Sequence, residues 1–144
     1  MGISADNARP EVGFHNAALG IPQFNTLDAA LEKRVSIRER YVACLDSVGA
    51  KYVEQSEEGV TYSNYFFTVL TPDRDKLAGH LKEHDIYSTF RYYPLHLIGI
   101  FDQYSRECPG AYQFSETALN IPIHQNLSDD EVSQICEALV EFFR

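Results

Sequence analysis

The sequence predicts an α+β domain, a small antiparallel sheet covered by helices on one face. Three observations carry that reading. Apolar residues recur at helical spacing in separate segments along the chain. Short β-rich runs lie between them, two joined by an "EEG" turn as in a hairpin. Hairpin-like pairs are mixed with helices instead of alternating as regular βαβ units. The predicted order is α-β-β-α-β-α-β-α.

Residues 1–22, with Gly2, Pro10, Gly13, Gly20 and Pro22, read as an irregular N-terminal arm, and residues 23–144 as one domain. From Phe24, the positions Leu27, Leu31, Val35, Val42, Leu45 and Val48 form a helical stripe that Gly49 ends. "AKYVEQ" is a short strand, and "VTYSNYFFTVL" is the β-rich central one. "TPDRDKLAGHLKEHDI" begins with Thr71 as N-cap, Pro72 at the first helical position, and Asp73 and Asp75 where the helix dipole favours anions. "YSTFRYYPL" is the next strand, ended by Pro94. After a helical or looped stretch, "ALNIPIH" is extended. A Ser128/Glu131 capping box opens the last helix, with Val132, Ile135, Leu139 and Phe142 as its buried stripe.

Composition narrows the function. With 44% apolar and 12% aromatic residues the 144-residue chain is long enough for a core. A formal charge of −9 without any basic run excludes a phosphate-binding stripe for nucleic acid. The apolar runs are too short to span a membrane, and "MGISADNARP" lacks an apolar signal core. Cys44, Cys108 and Cys136 are odd in number and far apart, which fits reduced thiols and a cytoplasmic location.

No G-x-S-x-G elbow, Walker loop or G-x-G-x-x-G turn occurs, so no hydrolase triad, nucleotide P-loop or Rossmann site is assigned. "HLKEH", His80 to His84, fits an H-x-x-E-H zinc pattern, and its two histidines share a helix face. Zinc needs a third ligand as well. With Leu77 and Leu81 inward and Lys82 and Glu83 outward, the segment reads as a surface helix, and no metal is assigned.

The remaining cluster is "TFRYYPLHL". Arg91 and Tyr93 share one face of the predicted strand, and Tyr92 faces the other way, so at least one tyrosine is expected in the core. His96 follows just past the strand end. Arg91, Tyr93 and His96 could bind an anionic or hydroxyl-rich ligand through charge-assisted hydrogen bonds; the alternative is a packed strand terminus.

"NYFFTVL", "RDKLAGHLKEHDIYSTFRYYPLHL" and "ALNIPIHQNLSDDEVSQICEALVEF" resemble, in order and spacing, the C-terminal part of the DegT/DnrJ/EryC1/StrS family of pyridoxal-phosphate-dependent sugar aminotransferases of fold type I. "NAALGIPQFNTLDAALEKRVSIRERYVACL" resembles the long helix joining that family's two domains. The resemblance covers residues 14–144, and it implies the family's small domain. Arg91, Tyr92, Tyr93 and His96 then become substrate contacts at a pocket shared with a large domain. "NARPE" resembles the family loop whose asparagine reaches the cofactor phosphate of a neighbouring subunit, which carries a cofactor role onto Asn7 and Arg9. Glu11 follows Arg9 more closely than that loop requires, and Pro22 falls where the family's helix continues.

The resemblance implies pyridoxal phosphate, held by a large domain bearing the Schiff-base lysine. The lysines here, Lys33, Lys51, Lys76 and Lys82, lie on charged helix faces or beyond a helix end, so this chain alone is expected neither to bind the cofactor nor to transaminate, and no catalytic residue is assigned. Two readings stand. The chain is a fragment or split half of a sugar-aminotransferase-like enzyme, or it is a free-standing truncated homologue with a cofactor-independent role in small-molecule binding or catalysis. In either case the apolar positions Phe24, Leu27 and Leu31 predict a homodimer or a separately encoded large-domain partner.

Overall fold

In the computed structural model, which describes residues 14–144 except 56, 58 and 105, the core forms between three helices and one face of a three-stranded sheet. The elements are α1 (Phe14–Asn25), α2 (Leu27–Asp46), β1 (Lys51–Tyr52), β2 (Phe67–Leu70), α3 (Arg74–Glu83), 3-10 turns at Leu95–Leu97 and Gly99–Tyr104, α4 (Pro109–Thr117), β3 (Ala118–Ile121) and α5 (Asp129–Phe143). The sheet is antiparallel in the order β1-β2-β3.

Register explains the layering. Phe67 pairs with Ile121 and Val69 with Leu119, so these four side chains share a face, and all are buried. Against them pack Ile37, Tyr41 and Leu45 of α2, Leu77 and Leu81 of α3, and Val132, Ile135 and Leu139 of α5. Each such side chain contributes about 1.5–3 kcal/mol on full burial. Tyr41 meets Phe67 edge-on at 5.4 Å, and its hydroxyl donates to the Pro122 carbonyl at 2.7 Å. The predicted architecture, helices on one face of a small antiparallel sheet, is the one observed.

The helix ends follow their local chemistry. Gly49, at φ +66°, ends α2, where the Ala50 N–H reaches the Leu45 carbonyl. Ser128 accepts from the Glu131 N–H at 3.2 Å while the Glu131 carboxylate accepts from the Ser128 N–H at 2.7 Å, the reciprocal box expected at the start of α5. Cys44 and Cys136 are half-buried and pack against the core from α2 and α5. The hydrogen bond with Cys136, then burial, pushes the Cys44 thiol up.

Three expectations change. The irregular arm is helical from Phe14, with Pro22 inside α1. Proline removes one hydrogen bond, yet the helix runs on to Asn25 before breaking at Thr26, whose hydroxyl lies 3.1 Å from the Gln23 carbonyl. Residues 1–13, Asn7 and Arg9 among them, lie outside the described residues. Thr71 does not cap α3; its hydroxyl accepts the Asp73 N–H at 3.2 Å one turn earlier, and the helix starts at Arg74.

The strand expected over "YSTFRYYPL" shrinks to a single bridge between Thr89 and Asn120, with N–H to O distances of 2.9 and 2.8 Å. Extension would next pair Tyr87 with Pro122, which has no N–H to give. On the other side it would pair Arg91 with Ala118, whose N–H is spent on the Phe114 carbonyl at the end of α4. Residues 90–94 therefore leave the sheet as an irregular segment, and they enter the Leu95–Leu97 turn at the buried Pro94.

Candidate functional site

Where the Thr89 bridge ends, the chain leaves a cleft of about 420 Å³. Its floor is Asn120 and Thr89 at the sheet edge, with Ile121 to Ile123 beyond them. Asp85 to Tyr87, the turn after α3, form one wall, and Glu131, Gln134 and Ile135 on the first half of α5 form another. Tyr65, Phe66 and Arg91 stand at its rim. The turn is held to α5 by Gln134, whose amide donates to the His84 carbonyl at 2.9 Å.

Arg91 projects from the irregular segment, and its guanidinium donates to the Tyr65 hydroxyl at 3.1 Å. Hydrogen bonds to the hydroxyls of Tyr65 and then Tyr92 hold it above its ordinary pKa, so it presents a permanent cation in contact with solvent. Tyr65, Phe66 and Tyr87 are exposed aromatic surfaces on the same cleft. Glu131 spends its carboxylate on the α5 cap, and hydrogen bonds from the Ser128 N–H and hydroxyl hold its pKa below the ordinary value. The site offers a cation, aromatic faces and a buried amide. Such a set binds a ligand with an anionic end and a ring-shaped or hydroxylated body.

Of the four residues singled out in "RYYPLH", only Arg91 lines this cleft. Tyr92 and Tyr93 are 75% and 57% exposed, so neither ring is in the core. The opposed faces expected of them require a strand, and the backbone there is not one. His96, half-buried on the 3-10 turn, lines a separate groove with Arg106, Cys108 and Tyr112. Tyr65, Asn120 and Gln134 were not singled out from the sequence. The β-rich pattern around "NYFFTVL" assigns Tyr65 to a strand, whereas it lies just before β2, where its ring is free to turn to the cleft.

The lysines do not fit an imine-forming role. Lys33 pairs with Asp129 at 2.9 Å and Lys76 with Asp73 at 2.7 Å; Lys51 and Lys82 are exposed. Hydrogen bonding to Asp73 raises Lys76, the opposite of what a nucleophilic amine needs. No lysine or cysteine lines the cleft.

Residues 14–140 match the family model described as DegT/DnrJ/EryC1/StrS aminotransferase. The chain is 33% identical over 126 residues to a dTDP-4-dehydro-2,3,6-trideoxy-D-glucose 4-aminotransferase of Saccharopolyspora spinosa, covering 84% of this chain and 32% of that protein. It is 27% identical to a GDP-perosamine synthase of Vibrio cholerae, over 88% of this chain and 36% of the other. It thus spans about a third of the length of the curated relatives it matches. Among solved structures, the aminotransferase TlmJ of Streptoalloteichus hindustanus superposes with a TM-score of 0.83 at 33% identity, over 88% of this chain and 35% of that one. DesV of S. venezuelae shares the fold at a TM-score of 0.84 and 23% identity, over 90% and 36%.

Proposed function

Because the chain belongs to the DegT/DnrJ/EryC1/StrS aminotransferase family, we propose that it serves as the small, substrate-contacting domain of a sugar-aminotransferase-like protein. A large domain that binds pyridoxal phosphate completes the site, whether as a separately encoded partner or as part of a longer chain. When bound there, that cofactor supplies the amino-group chemistry; the residues of this chain bind and orient the sugar nucleotide. The observation that carries the proposal is the display of Arg91, Tyr92 and Tyr93. All three are exposed and outside regular structure, beside a core that does not use them. Leu95, Ile100, Phe101 and Tyr104 continue the exposed apolar surface, as a face covered by another domain would. Arg91 would meet a phosphate, and the tyrosines the hexose ring and its hydroxyls.

Relatives named for dTDP- and GDP-linked sugars make nucleotide-linked hexoses the substrate class to test. Calorimetric titration of dTDP- and GDP-hexoses into the chain, alone and with a family large domain added in trans, should show binding that Arg91→Ala weakens at least tenfold. Absence of binding in both formats would overturn the proposal. A second reading rests on the cleft itself, which this chain encloses unaided and whose 420 Å³ suits a small molecule. On that reading the chain is a cofactor-independent binding module, and binding is complete without the large domain.

A further inference from the structure

Two histidines one turn apart on α3 meet a carboxylate from α5. One ligand atom from each of His80, His84 and Glu141 lies within 4.8 Å of those of the other two. The His84 Nε2 to Glu141 Oε2 distance is 3.4 Å. In a tetrahedral zinc site with bonds of about 2.0–2.1 Å, ligand atoms stand about 3.4 Å apart. One edge of the triangle therefore already has the required length. The others need closures of at most about 1.4 Å, within reach of the long Glu141 side chain, which is 67% exposed.

One nitrogen of each ring is held on a backbone carbonyl. His84 Nδ1 donates to the His80 carbonyl at 2.9 Å, and His80 Nε2 donates to the Ala138 carbonyl at 2.9 Å. In the neutral imidazoles this leaves the lone pairs on His84 Nε2 and His80 Nδ1, with the opposite nitrogens anchored to backbone oxygens. The two ring centroids lie 4.5 Å apart, and His80 also packs against Phe142 at 5.6 Å, which limits its rotation. The sequence supplied the histidine pair but not the third ligand; the packing of α3 on α5 supplies it.

We infer that His80, His84 and Glu141 form a binding site for a borderline transition-metal dication, Zn²⁺ by preference, that ties α3 to α5. Two imidazoles and one carboxylate suit zinc over Mg²⁺ or Ca²⁺, which prefer all-oxygen sites. Partial exposure leaves a coordination position for water.

The test is titration of Zn²⁺ into the metal-stripped full chain, followed by calorimetry and thermal unfolding. One zinc per chain and a raised melting temperature are expected, with no comparable response to Mg²⁺. Glu141→Gln and His84→Ala, both at partly or largely exposed positions, should each weaken zinc binding at least tenfold and abolish the thermal shift. Glu141→Gln alters no core contact, so a folding failure in the histidine variant would still leave the outcome readable. Wild-type protein that takes up no zinc, or either variant binding it as tightly as wild type, would overturn the site in favour of a plain His84–Glu141 ion pair.

Discussion

The Thr68 hydroxyl donates to the side-chain oxygen of Asn120 at 2.6 Å, with both residues buried and directly paired across β2 and β3. They occupy the sheet face opposite the helices. Asn120 links that pair to the candidate site, since its backbone also makes the Thr89 bridge and the residue lines the cleft. Thr68→Val keeps the shape and removes the donor, leaving a buried amide oxygen unpartnered. A loss of about 1–3 kcal/mol is expected, or roughly 4 °C in melting temperature per kcal/mol for a chain of this size. Thr68→Val/Asn120→Leu should recover part of that loss, because both polar partners are then gone. Chemical denaturation of the two variants checks it.

The α5 cap sets a pH dependence. Hydrogen bonds from Ser128 lower Glu131, and the Lys33 ammonium lowers Asp129. A carboxylate whose folded pKa lies below its unfolded value stabilises the fold fully above the unfolded pKa, and that stabilisation fades as pH falls through the ordinary carboxylate range towards the depressed folded value. Ser128→Ala should cost about 1 kcal/mol near neutral pH. The gap between variant and wild type should shrink as Glu131 protonates, because the variant loses the hydroxyl's share of the bonding that lowers it while the backbone N–H bond stays. Urea midpoints at about pH 7 and about pH 3 measure it; an equal gap at both would contradict the linkage.

The architecture was legible because its signals were local and redundant. The α5 stripe, the capping box and Gly49 each follow from residues within a turn or two of one another, and strands β2 and β3 follow from short β-rich or extended runs in the sequence. The site was less legible because it depends on which backbone groups are already spent. "YSTFRYYPL" has strand composition, yet Pro122 lacks a donor and Ala118 has given its own to α4, and neither fact is visible from that segment alone. Consequently the alternation of Tyr92 and Tyr93 did not survive. Glu141, nearly sixty residues beyond "HLKEH", became its neighbour only through packing.

The lysine environments predict that the isolated chain forms no stable imine with pyridoxal phosphate. Lys33 and Lys76 are in ion pairs and Lys51 and Lys82 are exposed, so none sits in the apolar pocket that an imine-forming lysine uses. Incubation followed by gel filtration should leave no imine absorbance on the protein. A band that persists, and that a single Lys→Ala change removes, would refute this.

The exposed side of α1 predicts association. Ile21 and Phe24, one turn apart on α1, are 63% and 76% exposed, and the exposed Leu27 follows at the start of α2. Burying that surface between two copies would take apolar area out of water, which favours association. Sedimentation at micromolar concentration should show a dimer, which Phe24→Glu converts to monomer without lowering the melting temperature. A wild-type monomer with no co-purifying partner would argue against it.

The exposed display of Arg91, Tyr92 and Tyr93 separates stability from binding. Because Tyr92 is outside the core, Tyr92→Ala should change stability by no more than about 0.5 kcal/mol, not by the several kcal/mol that a buried ring would cost. Arg91→Ala should be similarly mild, since its bond to Tyr65 lies at the surface. Ligand binding should behave differently. Losing a charge-assisted hydrogen bond from Arg91 should cost about 1.5–3 kcal/mol of affinity, a roughly tenfold to hundredfold weakening, and Tyr93→Phe should cost about 0.5–1.5 kcal/mol if its hydroxyl meets the sugar. His96→Ala separates the two grooves. If the ligand spans from the Arg91 cleft to the groove beside Arg106, this change weakens binding as well; if the ligand stays in the cleft, it does not. Thermal unfolding of the four variants with and without nucleotide-linked hexoses reads both effects at once. Variants that lose melting temperature without ligand, yet keep the full ligand-induced rise, would return the segment to a purely structural role.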